Sequence, residues 1–170
     1  MDHTTHYSSV KTRIKGYGRI ANSFSNPPLF RGIGSGQKHP AENLDDSKVP
    51  EWLKVYLIEI DRKLDQLLGI QSIKDLSQDF PVDIEVLEIS GNGIVFRTET
   101  SLRSEVIMEV VLVLGQVPLR MASTKGTINT GKMSNTWVME FINIKEHDLE
   151  AIIQFVFSEQ RERIRTDKIS

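Results

Sequence analysis

Apolar positions fall into three regimes along the chain. Residues 1 to 48 hold few periodic apolar positions and many breakers, among them Asn26-Pro27-Pro28 and Gly32-Ile33-Gly34-Ser35-Gly36, which predicts a mostly disordered arm. From residue 49 the pattern becomes helical, with proline at Pro50 in the first turn and Gly69 at the predicted stop. Within that helix, 49–69, Leu53, Leu57, Ile60, Leu64 and Leu67 step by 4, 3, 4, 3, the seam of a coiled coil. Trp52, Val55, Tyr56, Ile58 and Leu68 widen the apolar surface beside the seam. Two outcomes follow for such a stripe: it packs on the core of its own chain, or it buries itself against other copies. The expectation is self-association, with dimer and tetramer both open.

From about residue 80 the period changes to two. Ile84 and Val86 alternate with Asp83 and Glu85, and Ile94 and Phe96 restart the alternation after Gly91-Asn92-Gly93. This predicts a hairpin whose Asn92-Gly93 pair suits a tight turn, because both residues tolerate positive φ. In Glu105 to Leu114 both faces are apolar, Val106, Met108, Val110, Leu112 and Leu114 on one and Ile107, Val111 and Val113 on the other, so this strand is expected deep in the sheet. Leu119 to Ile128 and Thr136 to Phe141 read as further strands, and Glu146 to Arg165 as a helix with Leu149, Ile152, Ile153, Val156 and Phe157 on one face. The predicted class is mainly β with flanking helices: a small antiparallel barrel over 80–166, closed by its C-terminal helix.

Composition narrows the function. In 170 residues there is no cysteine, hence no disulfide framework or thiolate metal site, and no apolar run long enough to span a bilayer. The polar start MDHTTHYSSVK lacks a secretory h-region, so the cytoplasm is the expected compartment. The net charge of −2 hides an asymmetry: residues 1 to 40 carry Lys11, Arg13, Lys15, Arg19, Arg31 and Lys38 against Asp2 alone, leaving the remainder strongly acidic. Tyr7, Tyr17, Phe24 and Phe30 interleave with those cations, too sparsely for a base-stacking platform, and nucleic acid is not the expected partner. The glycine run at 32–36 has no strand before it and no Gly-Lys-Ser/Thr after it, so it is not a phosphate-binding loop.

Catalytic chemistry has little to work with. His3, His6 and His39 lie in the arm, His147 opens the last helix, and none has a second ligand at helical spacing. Ser90 lacks the Gly-x-Ser-x-Gly frame of a nucleophile elbow, and Asp83 and Glu85 alternate on one exposed strand face. The expectation is no enzyme, no metal and no cofactor.

The order of elements, the segment Glu88-Ile89-Ser90-Gly91-Asn92-Gly93, the strand TWVMEF and the terminal SEQRERIR helix together resemble the PilZ family of bacterial domains. Many members of that family are receptors for cyclic di-GMP. The resemblance covers roughly 80–166 and implies a ligand motif of Asp or Asn, any residue, Ser, two residues, Gly, matched here by Glu88, Ser90 and Gly93 with Glu in the first place. The helix carrying KLDQLL before the barrel is similar to a divergent branch in which an added helix drives oligomerisation. The family's other motif, two arginines three residues apart just upstream of the barrel, has no counterpart: Gly69 to Pro81 contains Lys74 and no arginine. A lysine offers a point charge where an arginine offers a planar bidentate fork. The resemblance therefore implies a non-catalytic regulatory or adaptor module acting on an unidentified protein partner. The alternative is a cyclic di-GMP receptor in which Arg13, Arg19 or Arg31 of the arm folds back to complete the site.

Overall fold

In the computed structural model, residues 7–30, 49–116 and 118–168 are described. Six strands, β1 (Ser9–Ala21), β2 (Val82–Ser90), β3 (Gly93–Arg97), β4 (Val106–Gln116), β5 (Leu119–Thr130) and β6 (Thr136–Ile142), close into a barrel in the order β1-β2-β3-β6-β5-β4. Every neighbouring pair is antiparallel. Closure leaves no edge strand to template aggregation. Helix α1 (Glu51–Asp79) lies between β1 and β2 in the chain, and α2 (Glu146–Asp167) follows β6.

The barrel interior is the apolar face that the period-two reading anticipates. Ile84, Val86, Ile94, Phe96, Met108, Val110, Leu112, Ile128 and Met139 fill it, and α2 adds Ile152, Phe155 and Val156. The strands β2 to β6 and the helix α2 thus match the sequence expectation closely.

The arm does not. Ser9–Ala21, inside the span 1–48 expected to be mostly disordered, is a full strand pairing with both β2 and β4. Its inward positions read Val10, Ile14, Gly16 and Gly18, and the two glycines carry no apolar signal. They are glycines because the interior beside them is taken: a Cβ at Gly18 would overlap the end of Met108, and one at Gly16 would stand 2.9 Å from Ile84 Cγ1. The outward positions Lys11, Arg13, Lys15 and Arg19 supply the charge that makes the segment look like a tail. The barrel therefore starts at Ser9, not near residue 80.

The helix also outruns its predicted end. α1 continues through Gly69 to Asp79, where Phe80, held off helical geometry by Pro81, closes it with its N–H on the Leu76 carbonyl. Gly69 is not a C-cap; it is buried against Leu119 of β5. Below it, Leu76 and Phe80 form a second small core on the outside of the barrel with Val111, Tyr17, Phe30 and Met121. The contacts holding α1 to the barrel come from this C-terminal half. The seam itself stays uncovered by the barrel, with Leu57, Leu64 and Leu67 exposed.

Candidate functional site

The hairpin of β2 and β3 brings Glu88, Ser90 and Gly93 to one end of the barrel. Ser90 and Gly93 pair across a two-residue turn, Gly91-Asn92. Neither Asn92 nor Gly93 has the left-handed backbone that the turn chemistry predicts. Gly93 is required for a different reason: it lies against β6, where a Cβ would collide with the Met139 carbonyl oxygen. Gly93→Val should consequently separate β3 from β6 and cost about 1 to 3 kcal/mol, read as a lower thermal midpoint; an unchanged midpoint would contradict the packing.

The motif's polar groups serve the turn. The Ser90 hydroxyl lies 2.5 Å from Asn92 Oδ1 and 3.2 Å from the Gly93 carbonyl, so its one proton is spent locally. The ring of Tyr7 lies over Gly91. Glu88 faces Lys11 across β1 and Val95 across β3. The shallow groove alongside is lined by Glu88, Ser90, Asn92, Val95, Val138 and Glu140, two carboxylates and, among the described residues, no cation. A phosphate there would meet negative charge.

The arginines expected to complete the site are not gathered at it. Ser90 lies opposite Ser9, so at about 3.3 Å per residue Arg13 is about 13 Å along β1 and Arg19 about 33 Å, towards the other end. Arg13 instead lines an open surface with Lys15, Tyr17, Asp83, Glu85 and Arg97. Burial first, and Asp83 second, raise the Tyr17 phenol above its ordinary pKa. Arg31 lies outside the described residues, as do His3, His6, His39 and the glycine run at 32–36.

Arg19 is committed elsewhere, in a cluster the sequence reading misses. Register places Arg19, Glu109 and Lys125 side by side across β1, β4 and β5 on the outer face. Arg19 Nε and Nη2 both donate to Glu109 Oε2, at 2.9 and 2.6 Å, and the guanidinium lies 5.7 Å over the Phe80 ring. Glu109 Oε1 accepts the N–H groups of Leu29, at 2.9 Å, and Phe30, at 3.4 Å. Lys125 Nζ donates to the carbonyls of Ser23, at 3.3 Å, and Asn26. Residues 22–30 are thereby strapped across the barrel by two buried side chains that grip only its backbone. The signal available in the sequence is Glu109, a lone charge inside the apolar run VIMEVVLVL.

Among the described residues no group of three or more His, Cys, Asp or Glu side chains is placed to hold a metal, and no helix is long and apolar enough to cross a membrane. His147 Nε2 lies 3.2 Å from Asp148, whose buried carboxylate accepts the Ser123 N–H and ties the start of α2 to β5.

Neither a family model nor a curated protein matches the sequence. Solved structures do. A PilZ-domain protein of Xanthomonas campestris, a tetramer self-assembled via a helical bundle, aligns over 95% of this chain and 92% of its own at 13% identity, with a TM-score of 0.56. The Bacillus subtilis inhibitor of motility aligns over 47% of this chain and only 42% of its own, at 19% identity and a TM-score of 0.39. An uncharacterized Legionella protein aligns over 52% of this chain and 82% of its own, at 20% identity and a TM-score of 0.30. With the Xanthomonas alignment running through barrel and helices alike, the chain is established as a PilZ-like fold, a closed six-stranded antiparallel barrel flanked by helices.

Proposed function

We propose that this chain is a non-catalytic regulatory or adaptor module that works through protein contacts in bacterial second-messenger signalling, in the cytoplasm, as a homo-oligomer joined through α1. The observation that carries the reading is the apolar ridge of α1, which the barrel leaves in solvent from Trp52 to Ile70. A soluble protein keeps few such ridges uncovered. The Xanthomonas neighbour, built with its own helical bundle, supports the same use of the helix here. The hairpin supports an adaptor over a receptor. Glu88 and Glu140 repel phosphate, Ser90 is spent on the turn, and residues 1–8, ahead of the barrel's first strand, contain no arginine.

Titration of the full chain with cyclic di-GMP is the direct test. No saturable heat is expected, and a dissociation constant below about 1 μM would overturn the reading. The receptor alternative has one feature in its favour, the cations Arg13, Lys15 and Arg97 on one open surface. If binding appears, it should weaken in Arg13→Ala and leave Arg19→Ala affected only through stability.

A further inference from the structure

Beneath the strap lies a cleft of about 100 Å³ that has no part in the reading above. Its roof is Phe24, Asn26 and Pro28, its floor Glu109 and Lys125, and its wall the connection Ile142 to Lys145 between β6 and α2. A water needs about 10 to 15 Å³ on the same measure, so the space suits a molecule of several heavy atoms. It is at the opposite end of β1 from the Ser90 hairpin.

The electrostatics of the cleft are unbalanced. Lys125 is 8% exposed, and among the described residues its ammonium meets two neutral carbonyls but no carboxylate. Glu109 stands opposite it in register, yet one carboxylate oxygen holds Arg19 and the other holds the strap amides. The trio Arg19, Glu109 and Lys125 therefore carries one excess positive charge in a place where burying an unpaired ion is costly. An ammonium has three donors, and two are in use. A second cation, Lys145, lines the same cleft and begins α2 without a side-chain cap. Asp148 and Glu146 in the first turn of α2 offset its positive end, and Asp148 is already held by Ser123. The imbalance thus rests on Lys125. Phe24, Pro28, Ile142 and Ile144 supply an apolar surface beside it.

We infer that this cleft is a binding site for a small monocarboxylate with a short aliphatic or aromatic body. The carboxylate gives Lys125 its missing counter-ion and its third hydrogen-bond acceptor, while the body packs on Phe24, Ile142 and Ile144. Because the strap forms the roof and Phe30 at its end packs on Leu76 and Phe80, an occupied cleft stiffens the attachment of α1 to the barrel.

The test is amide NMR of the full chain titrated with butyrate and benzoate at constant ionic strength, beside the neutral isosteres butyramide and benzyl alcohol. Saturable shifts at Phe24, Ser123 to Lys125 and Ile142 to Lys145 are expected with the carboxylates, with Kd in the millimolar range or tighter. Lys125→Met should weaken binding by at least about tenfold and Lys145→Gln by about two- to fivefold. If Lys125→Met fails to fold, Lys145→Gln and the neutral isosteres decide. No shifts up to about 10 mM, equal shifts with the neutral compounds, or undiminished binding in Lys145→Gln and in any folded Lys125→Met would overturn the assignment.

Discussion

Glu109→Ala should lose about 3 to 5 kcal/mol of stability, a large share of what a domain of this size possesses. The carboxylate is 1% exposed and answers four donors, two from Arg19 and two from the strap. Removing it leaves Arg19 and Lys125 as neighbouring cations with no anion between them, and leaves the Leu29 and Phe30 N–H groups without an acceptor. Arg19, with 28% of its side chain exposed, recovers part of its hydration, so the strap amides and Lys125 bear most of the damage. Glu109→Gln keeps the shape and one acceptor for the strap but presents an NH₂ group to Arg19, and should cost roughly half as much. The readout that separates this clasp from ordinary packing is hydrogen exchange: the Leu29 and Phe30 amides should lose protection in Glu109→Ala under conditions where the interior of β4 keeps it. A thermal midpoint within about 2 °C of wild type, less than 1 kcal/mol at this size, would show that the carboxylate does not hold the strap.

That clasp marks the boundary of what the amino-acid sequence reveals. Strands β2, β3, β4 and β6 are legible because their inward positions are apolar at period two, and α2 because Ile152, Val156 and their neighbours keep helical spacing, whereas β5 turns Ala122, Thr124, Gly126 and Ile128 inward and sets Leu119 and Met121 outside against α1. β1 is hidden because Gly16 and Gly18 occupy inward positions where Met108 and Ile84 already fill the space; the pattern is present but its side chains are not. The end of α1 is misplaced because a glycine that permits close approach to Leu119 is indistinguishable in sequence from a C-cap glycine. The residues after it, Gln71 to Ser77, bring mainly Leu76 to a core. Similar ambiguity affects the site. Glu88, Ser90 and Gly93 are singled out by the family resemblance, and Gly93 proves necessary for contact with β6 rather than for its backbone angle. Arg19 cannot be assigned without register, since only the pairing of β1 with β4 and β4 with β5 sets it beside Glu109 and Lys125. The strap leaves no trace in its own residues, because Glu109 and Lys125 bind its backbone and any sequence of suitable shape would present the same N–H and C=O groups. The four interleaved aromatics find their explanation here as well: Tyr7 covers Gly91, Phe24 roofs the cleft, and Tyr17 and Phe30 pack beside Phe80.

Replacing both Leu57 and Leu64 by Glu should convert the protein into a folded monomer. Two of the five seam positions would then carry charge, and an ionised carboxylate buried between helices without a partner costs several kcal/mol. In wild type, the seam residues contribute about 1.5 to 3 kcal/mol each when fully covered, against an association cost of about 4 to 15 kcal/mol. Five such residues at best only match that cost at its upper end. A stable assembly therefore has to cover the shoulders too, and they are available: Trp52 at 70%, Tyr56 at 59% and Leu68 at 65% exposure flank the seam. A dimer packs the seam and leaves shoulders wet, whereas a bundle of four helices buries both, so magnitude favours the tetramer. The barrel should not register the double substitution, because Leu57 and Leu64 are exposed and its attachment to α1 runs through Gly69, Leu76 and Phe80. Light scattering at about 100 μM, a concentration where even micromolar affinities saturate, should give the mass of an oligomer for wild type and of a single chain for the variant, with the barrel's thermal transition retained in both. A monomeric wild type at that concentration would refute the assembly. A variant that unfolds would instead place the seam inside the chain's own core.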